Sequence, residues 1–83
     1  MGIRETISSA GGNHHTIIIT AREEDGSVET REAEPYSYRI KGNHELFFCY
    51  DIAKNGTRSF IVGNIISVQE TNNTFVPRWP VEV

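Results

Sequence analysis

Cysteine is nearly absent from this 83-residue chain, with Cys49 standing alone. That excludes an internal disulfide framework and any cysteine-based zinc site. No apolar run approaches the roughly 18 residues of a membrane span. Met1 to Arg4 lack the start of a secretory leader. Basic residues are outnumbered, 8 Lys+Arg against 11 Asp+Glu for a net charge of -3, whereas a domain that wraps duplex nucleic acid usually carries the opposite sign. Gly-x-Ser-x-Gly, the P-loop and the dinucleotide fingerprint are missing. These absences lead us to expect one soluble, cytoplasmic, non-enzymatic domain over residues 1–83, with no cofactor.

What is present suffices for one small core: 37% hydrophobic and 10% aromatic residues, too many for a disordered chain. Ile3, Ile7 and Ala10 repeat at i, i+4 and i+7 and predict a helix over about 3–10, stopped by Gly11-Gly12. Strand signals follow. His14 to Thr20 is β-branched, Asp25-Gly26 is a hairpin turn, and the returning strand should end near Arg31 because Pro35 donates no hydrogen bond. Tyr36, Tyr38 and Ile40 alternate onto one predicted face. Leu46 to Tyr50 is apolar on both faces, so it is expected to be covered twice, by sheet core and helix, or on its outer face by another chain. Asn55-Gly56 turns the chain into Arg58 to Val62, Gly63-Asn64 kinks it, and a polar turn is predicted over Thr71 to Thr74. About five short, mainly antiparallel strands define an all-β class, a small barrel or a sandwich.

The order of these features resembles the WYL domain family over nearly the whole chain. The resemblance rests on Asp25-Gly26, Arg31-Glu32-Ala33-Glu34-Pro35, the strand Glu45 to Asp51, Asn55-Gly56, Arg58-Ser59-Phe60, Gly63-Asn64-Ile65 and the ending Thr74 to Pro80. It implies an SH3-like or Sm-like barrel over about 15–83 behind a short N-terminal helix. It also implies a non-catalytic, ligand-sensing or regulatory module, of a kind often attached to a helix-turn-helix DNA-binding domain. Two departures stand out. The three signature positions fall on Glu45-Leu46-Phe47, without the tryptophan and tyrosine. The family's Asp-Arg-Ile reads Gly63-Asn64-Ile65, so Asn64 replaces an arginine. With no DNA-binding helices ahead of the barrel, the expectation is a stand-alone member.

Arg39 and Arg58 are the leading candidates for an anion site, with Arg31 third and Asn64 at the family's ligand position. A guanidinium presents a planar fork of donors to phosphate oxygens. The partner expected there is a small anionic ligand, a nucleotide or a short single-stranded nucleic acid. The competing reading pairs each arginine with a nearby carboxylate. Six of the eleven acids, Glu23, Glu24, Asp25, Glu29, Glu32 and Glu34, surround the first hairpin and read as a solvated, edge-guarding surface. His14, His15 and His44 satisfy no metal spacing. Cys49 reads as core. Trp79, between Pro77 and Pro80, fits neither helix nor inner strand. It reads as a lid on the barrel or as an anchor for a homodimer or another protein. The alternative function is therefore a protein-interaction module with no small ligand.

Overall fold

The computed structural model describes residues 2–83. Met1 lies outside them. Helix α1 spans Ile3–Asn13 and buries Ile7, Ala10 and Gly11. It runs past the predicted glycine stop and ends instead at His14, which takes the left-handed conformation at φ 54°. The reason is packing. A Cβ on Gly11 would come within 2.4 Å of Val83 Cγ2 and 3.1 Å of Val81 Cγ1, so this glycine admits the C-terminal end of the chain against the helix.

Five strands follow: β1 (His15–Arg22), β2 (Val28–Lys41), β3 (His44–Asp51), β4 (Gly56–Ile61) and β5 (Ile65–Thr74). All neighbours are antiparallel, in the order β4-β3-β2-β1-β5. The first hairpin closes as the sequence predicts. Gly26 sits at φ 88°, while the Asp25 carboxylate accepts from the Ser27 N–H at 2.9 Å and hydroxyl at 2.6 Å. The edge strands β4 and β5 are joined by only three residues, the 3-10 turn Val62–Asn64. So short a link spans roughly 10 Å and brings the two edges of the sheet together at that end. The sheet is thereby rolled into a barrel-like shape, and α1 closes it. Inside lie Ile7, Ala10, Ile17, Ile19, Ala21, Ala33, Phe47, Cys49, Phe60 and Ile65. Ile17, Ile19 and Ala21 alternate inward along β1 as the period of two requires. The expected class, all-β and antiparallel with a short N-terminal helix, is the observed one.

Three local expectations are corrected. Pro35 does not end its strand: β2 continues to Lys41, and the proline sits at a bulge where the register to β3 shifts between Pro35 and Ser37. A bulge tolerates a residue without a donor. The pairing of β2 with β1 does stop at Ala33. The same bulge sends Tyr36 and Tyr38 to different surroundings. Tyr36 meets Trp79 and Phe75, whereas Tyr38 meets Phe47 in the core. Finally, residues 71–74 are the end of β5 rather than a turn.

Beyond β5 the chain, residues 75–83, has no regular structure and crosses the outer face of the sheet as a strap. Phe75 N–H donates to the His14 carbonyl at 3.0 Å, and Glu82 N–H donates to the Tyr36 carbonyl at 2.7 Å. The outer face of β3 is thus covered by the chain's own tail: the Tyr50 ring carries the Arg78 guanidinium at 3.9 Å and meets Trp79 at 6.2 Å.

Candidate ligand groove and arginine cluster

The four residues singled out for an anion site fall in three places. Arg58 and Arg31 meet at one end of the barrel interior. Arg58 lies opposite Cys49 on β4 and packs over the Phe60 ring at 5.0 Å. Its Nη2 donates to Glu23 at 2.6 Å and to Glu29, and its Nη1 lies 3.5 Å from Asp51 Oδ2. Arg31 Nε approaches the same Asp51 oxygen at 3.7 Å, and its Nη2 reaches Glu29 at 3.4 Å. Asp51 is 1% exposed and accepts from the Lys54 N–H at 3.3 Å through its other oxygen.

Two guanidinium groups therefore face three carboxylates, and an incoming anion would have to displace one. Burial pulls the Arg58 pKa down, but hydrogen bonding to Glu29 and the charges of Glu29 and Glu23 outweigh it and leave the value raised. Glu29 is held below the usual carboxylate range by its bond to Arg58, while Glu23, hydrogen-bonded to Glu29 and partly buried, is pushed above it. The acidic hairpin is accordingly a solvated surface only in part, at the exposed Glu24 and Asp25. Glu23 and Glu29 serve Arg58, Glu32 accepts from Thr16 at 2.6 Å and Asn73 at 2.9 Å, and Glu34, 4% exposed, accepts from Tyr36 at 2.6 Å and Arg78 at 3.2 Å.

Arg39 is elsewhere, on the outer face of β2. It flanks a groove of about 480 Å³ walled by Tyr36, Phe48, Trp79 and Pro80, with Ser37, Thr57 and Glu82 supplying polar atoms. Its Nη1 donates to the Tyr38 carbonyl at 2.7 Å, and its Nη2 pairs with Glu82 at 3.0 Å. Both side chains of that pair are half exposed, at 56% and 50%, where an ion pair contributes only about 0–1 kcal/mol. Trp79 stands edge-on to Tyr36 at 5.1 Å and is 46% exposed. One side of the indole is packed and the remainder is open.

Asn64 lines a second, more polar groove of about 410 Å³ with Arg22, Lys41, His44 and Ser59, beside Glu23 and Glu24. Among the described residues, Arg22 and Lys41 are in no ion pair. The two grooves border neighbouring positions of the sheet, since Phe48 of the first is the cross-strand partner of Ser59 of the second. Sequence reasoning passed over Arg22, Lys41 and Glu82. Arg22 and Lys41 end neighbouring strands at positions 19 residues apart that border one groove only in the folded sheet, and Glu82 is distant in sequence from Arg39, so no local pattern marks them.

The remaining candidates are dispersed. His14 caps α1, His15 bonds Glu70 at 2.7 Å, and His44 lies by the second groove. Cys49 is 1% exposed, and its thiol is pushed up to about 12 by burial and by the charge of Asp51. It is a protonated core residue at neutral pH. No described helix is long and apolar enough to cross a membrane.

Fold and grooves together define a small, helix-closed antiparallel β domain with an aromatic groove on its strapped face. No protein-family model matches the sequence, and no curated protein matches it significantly. Among solved structures it is similar to proteasome accessory factor B/C (PafBC) of Arthrobacter aurescens, with a TM-score of 0.81 and 18% identity. The likeness covers 92% of this chain and 13% of that one, so it is a likeness of fold to a small part of a much longer protein.

Proposed function

We propose that this chain is a non-catalytic sensing module of the WYL-like kind. In this reading it acts in the cytoplasm and binds a small anionic ligand with a flat ring, a nucleotide or a short single strand. The observation that carries it is the Arg39 groove. A half-exposed guanidinium stands at the mouth of an apolar cleft with aromatic walls, the combination that holds a phosphate at one end and stacks a base at the other. The resemblance of the sequence to WYL domains and the fold shared with part of an accessory factor support the same reading. Arg31 and Arg58 then act as structural members that hold the barrel end together. The second groove, next to the first across the Phe48–Ser59 pair, offers Arg22 and Lys41 to a further phosphate and Asn64 as a polar contact.

Trp79 is the only tryptophan and stands in the groove wall, so its fluorescence reports occupancy. Titration with AMP and with a thymidine tetranucleotide, at two salt concentrations, is expected to give a saturable change that weakens with salt. Arg39→Ala should lower the affinity at least 10-fold. The absence of any saturable change at millimolar ligand would remove these ligands and favour the protein-interaction module, whose own support is the exposure of Val76 at 87% and Ile40 at 74%.

A further inference from the structure

The groove at Arg39 is already engaged by the chain itself. The strap is anchored at three points along the outer face. At its entry, Arg78 bonds Glu34 at 3.2 Å and stacks on Tyr50, and its backbone N–H donates to the Tyr36 hydroxyl at 3.0 Å. At its middle, Trp79 and Pro80 form one wall of the groove. At its end, Glu82 N–H bonds the Tyr36 carbonyl at 2.7 Å, and Val81 and Val83 close on Gly11 of α1.

The carboxylate of Glu82 sits on Arg39 Nη2, while Nη1 is committed to the Tyr38 carbonyl. That uses the terminal fork of the guanidinium, the part that grips a phosphate with two parallel bonds. A phosphate taking the same fork must displace Glu82. Both partners are half exposed, so the contact is weak enough to yield. Glu82 is flanked by the two valines seated on α1, so the end of the strap is held jointly by this ion pair, by the Glu82 N–H bond to Tyr36 and by the valines.

We infer that Glu82 is an internal competitor for the anion position at Arg39, and that ligand binding there releases the end of the strap from helix α1. The inference rests on the proposed ligand groove and adds its regulation. Coupling of this kind is reciprocal: whatever pins the strap on α1 weakens the ligand, and the ligand loosens the strap by the same factor. Helix α1 is thereby the element that learns whether the groove is filled.

The test is the Trp79 fluorescence titration with AMP and the thymidine tetranucleotide on the wild-type chain and on Glu82→Gln. The substitution keeps the backbone N–H and the side-chain shape and removes the charge. Thermal melts establish that both chains are folded. A Kd at least 5-fold tighter for Glu82→Gln supports the inference, as does binding by Glu82→Gln when the wild type shows none. In parallel, hydrogen exchange of the Gly11 and Gly12 amides should quicken when the wild type is saturated. Equal affinities, with binding still abolished by Arg39→Ala, would overturn the inference and leave the groove as a ligand site. No binding by either folded chain would overturn both the inference and the function proposed for the groove.

Discussion

The two adjacent glycines of α1 look alike in the sequence and do different work. A Cβ on Gly11 meets Val83 at 2.4 Å, whereas one on Gly12 meets nothing within 4 Å. Alanine is preferred to glycine inside a helix by about 1 kcal/mol. Gly12→Ala should therefore raise stability by about that amount, while Gly11→Ala should fail to, because the gain is offset by displacing the strap. Urea melts of the two variants check this. If Gly11→Ala stabilises as much as Gly12→Ala, the strap does not press on the helix.

Arg58 illustrates how a residue that reads as a ligand contact acts in the structure as the hub of an ion network. Arg58→Ala leaves Asp51, Glu23 and Glu29 facing one another with only Arg31 beside them. Removing one partner from a buried charge cluster costs about 3–5 kcal/mol, and the part-exposed glutamates place the expected loss near the lower figure. The loss should be largest at neutral pH and shrink towards pH 4, where protonation relieves the repulsion left behind. Denaturation curves at pH 7 and pH 4 measure it. An unchanged stability at pH 7 would mean that the cluster does not hold the barrel end.

Between elements, α1 is held to the sheet by apolar contact, by the Arg4–Glu45 ion pair to β3 and by the Glu70 carboxylate. Glu70 on β5 accepts from Ser9 at 2.7 Å and Asn13 at 3.0 Å on the helix, and contacts His15 at 2.7 Å. These bonds, with Asn13 and Ser9 leading, hold its pKa below the ordinary 4.5. A carboxylate with a depressed value contributes stability above its unfolded pKa and loses it as pH falls through the folded value. Helix docking should therefore be unaffected from neutral pH down to about 4.5 and weaken below that. Glu70→Ala should lose about 1–2 kcal/mol at pH 7. Helix amides followed by hydrogen exchange between pH 6 and pH 3 would show it. Loosening that is just as steep in Glu70→Ala would assign the effect to another group.

The strands show where a one-dimensional reading succeeds and where it stops. Asp25-Gly26 and Asn55-Gly56 were legible because Gly26 and Asn55 take the positive φ that these residue types favour. β1 was legible because His14 to Thr20 is rich in β-branched residues, whereas which isoleucines face the core, Ile17 and Ile19, was not, since Ile18 stands between them. Pro35 was misleading, because what a proline does to a strand depends on where its neighbours end. β1 stops pairing at Ala33, so the missing donor at Pro35 falls at a bulge.

At the scale of the molecule, the radius of gyration is 11.7 Å, close to the roughly 11.8 Å expected of a compact 83-residue chain. The strap is therefore folded in rather than extended. Trp79 is half packed on Tyr36 and Tyr50, which makes it a wall of its own groove before it is a contact for another chain. We expect a monomer in sedimentation runs up to about 100 µM, a range in which weak apolar patches on small domains begin to associate. A concentration-dependent dimer broken by Val76→Ser or Ile40→Ser would favour the interaction module.

By itself, the sequence determined the class of this protein. The scarcity of cysteine, the short glycine-punctuated apolar segments and the single amphipathic stretch are local properties, and they are enough to make a small antiparallel β domain with one helix. Tertiary structure alone decided what the charged residues do. Arg31, Arg39, Arg58 and Asn64 are similar in sequence context, yet two close an ion network, one guards an aromatic groove and one borders a second groove. Ion pairing depends on approaches such as 2.6 Å between Arg58 and Glu23, or 3.0 Å between Arg39 and Glu82, which lie far apart along the chain. Only the rolling of the sheet and the return of the strap set those distances.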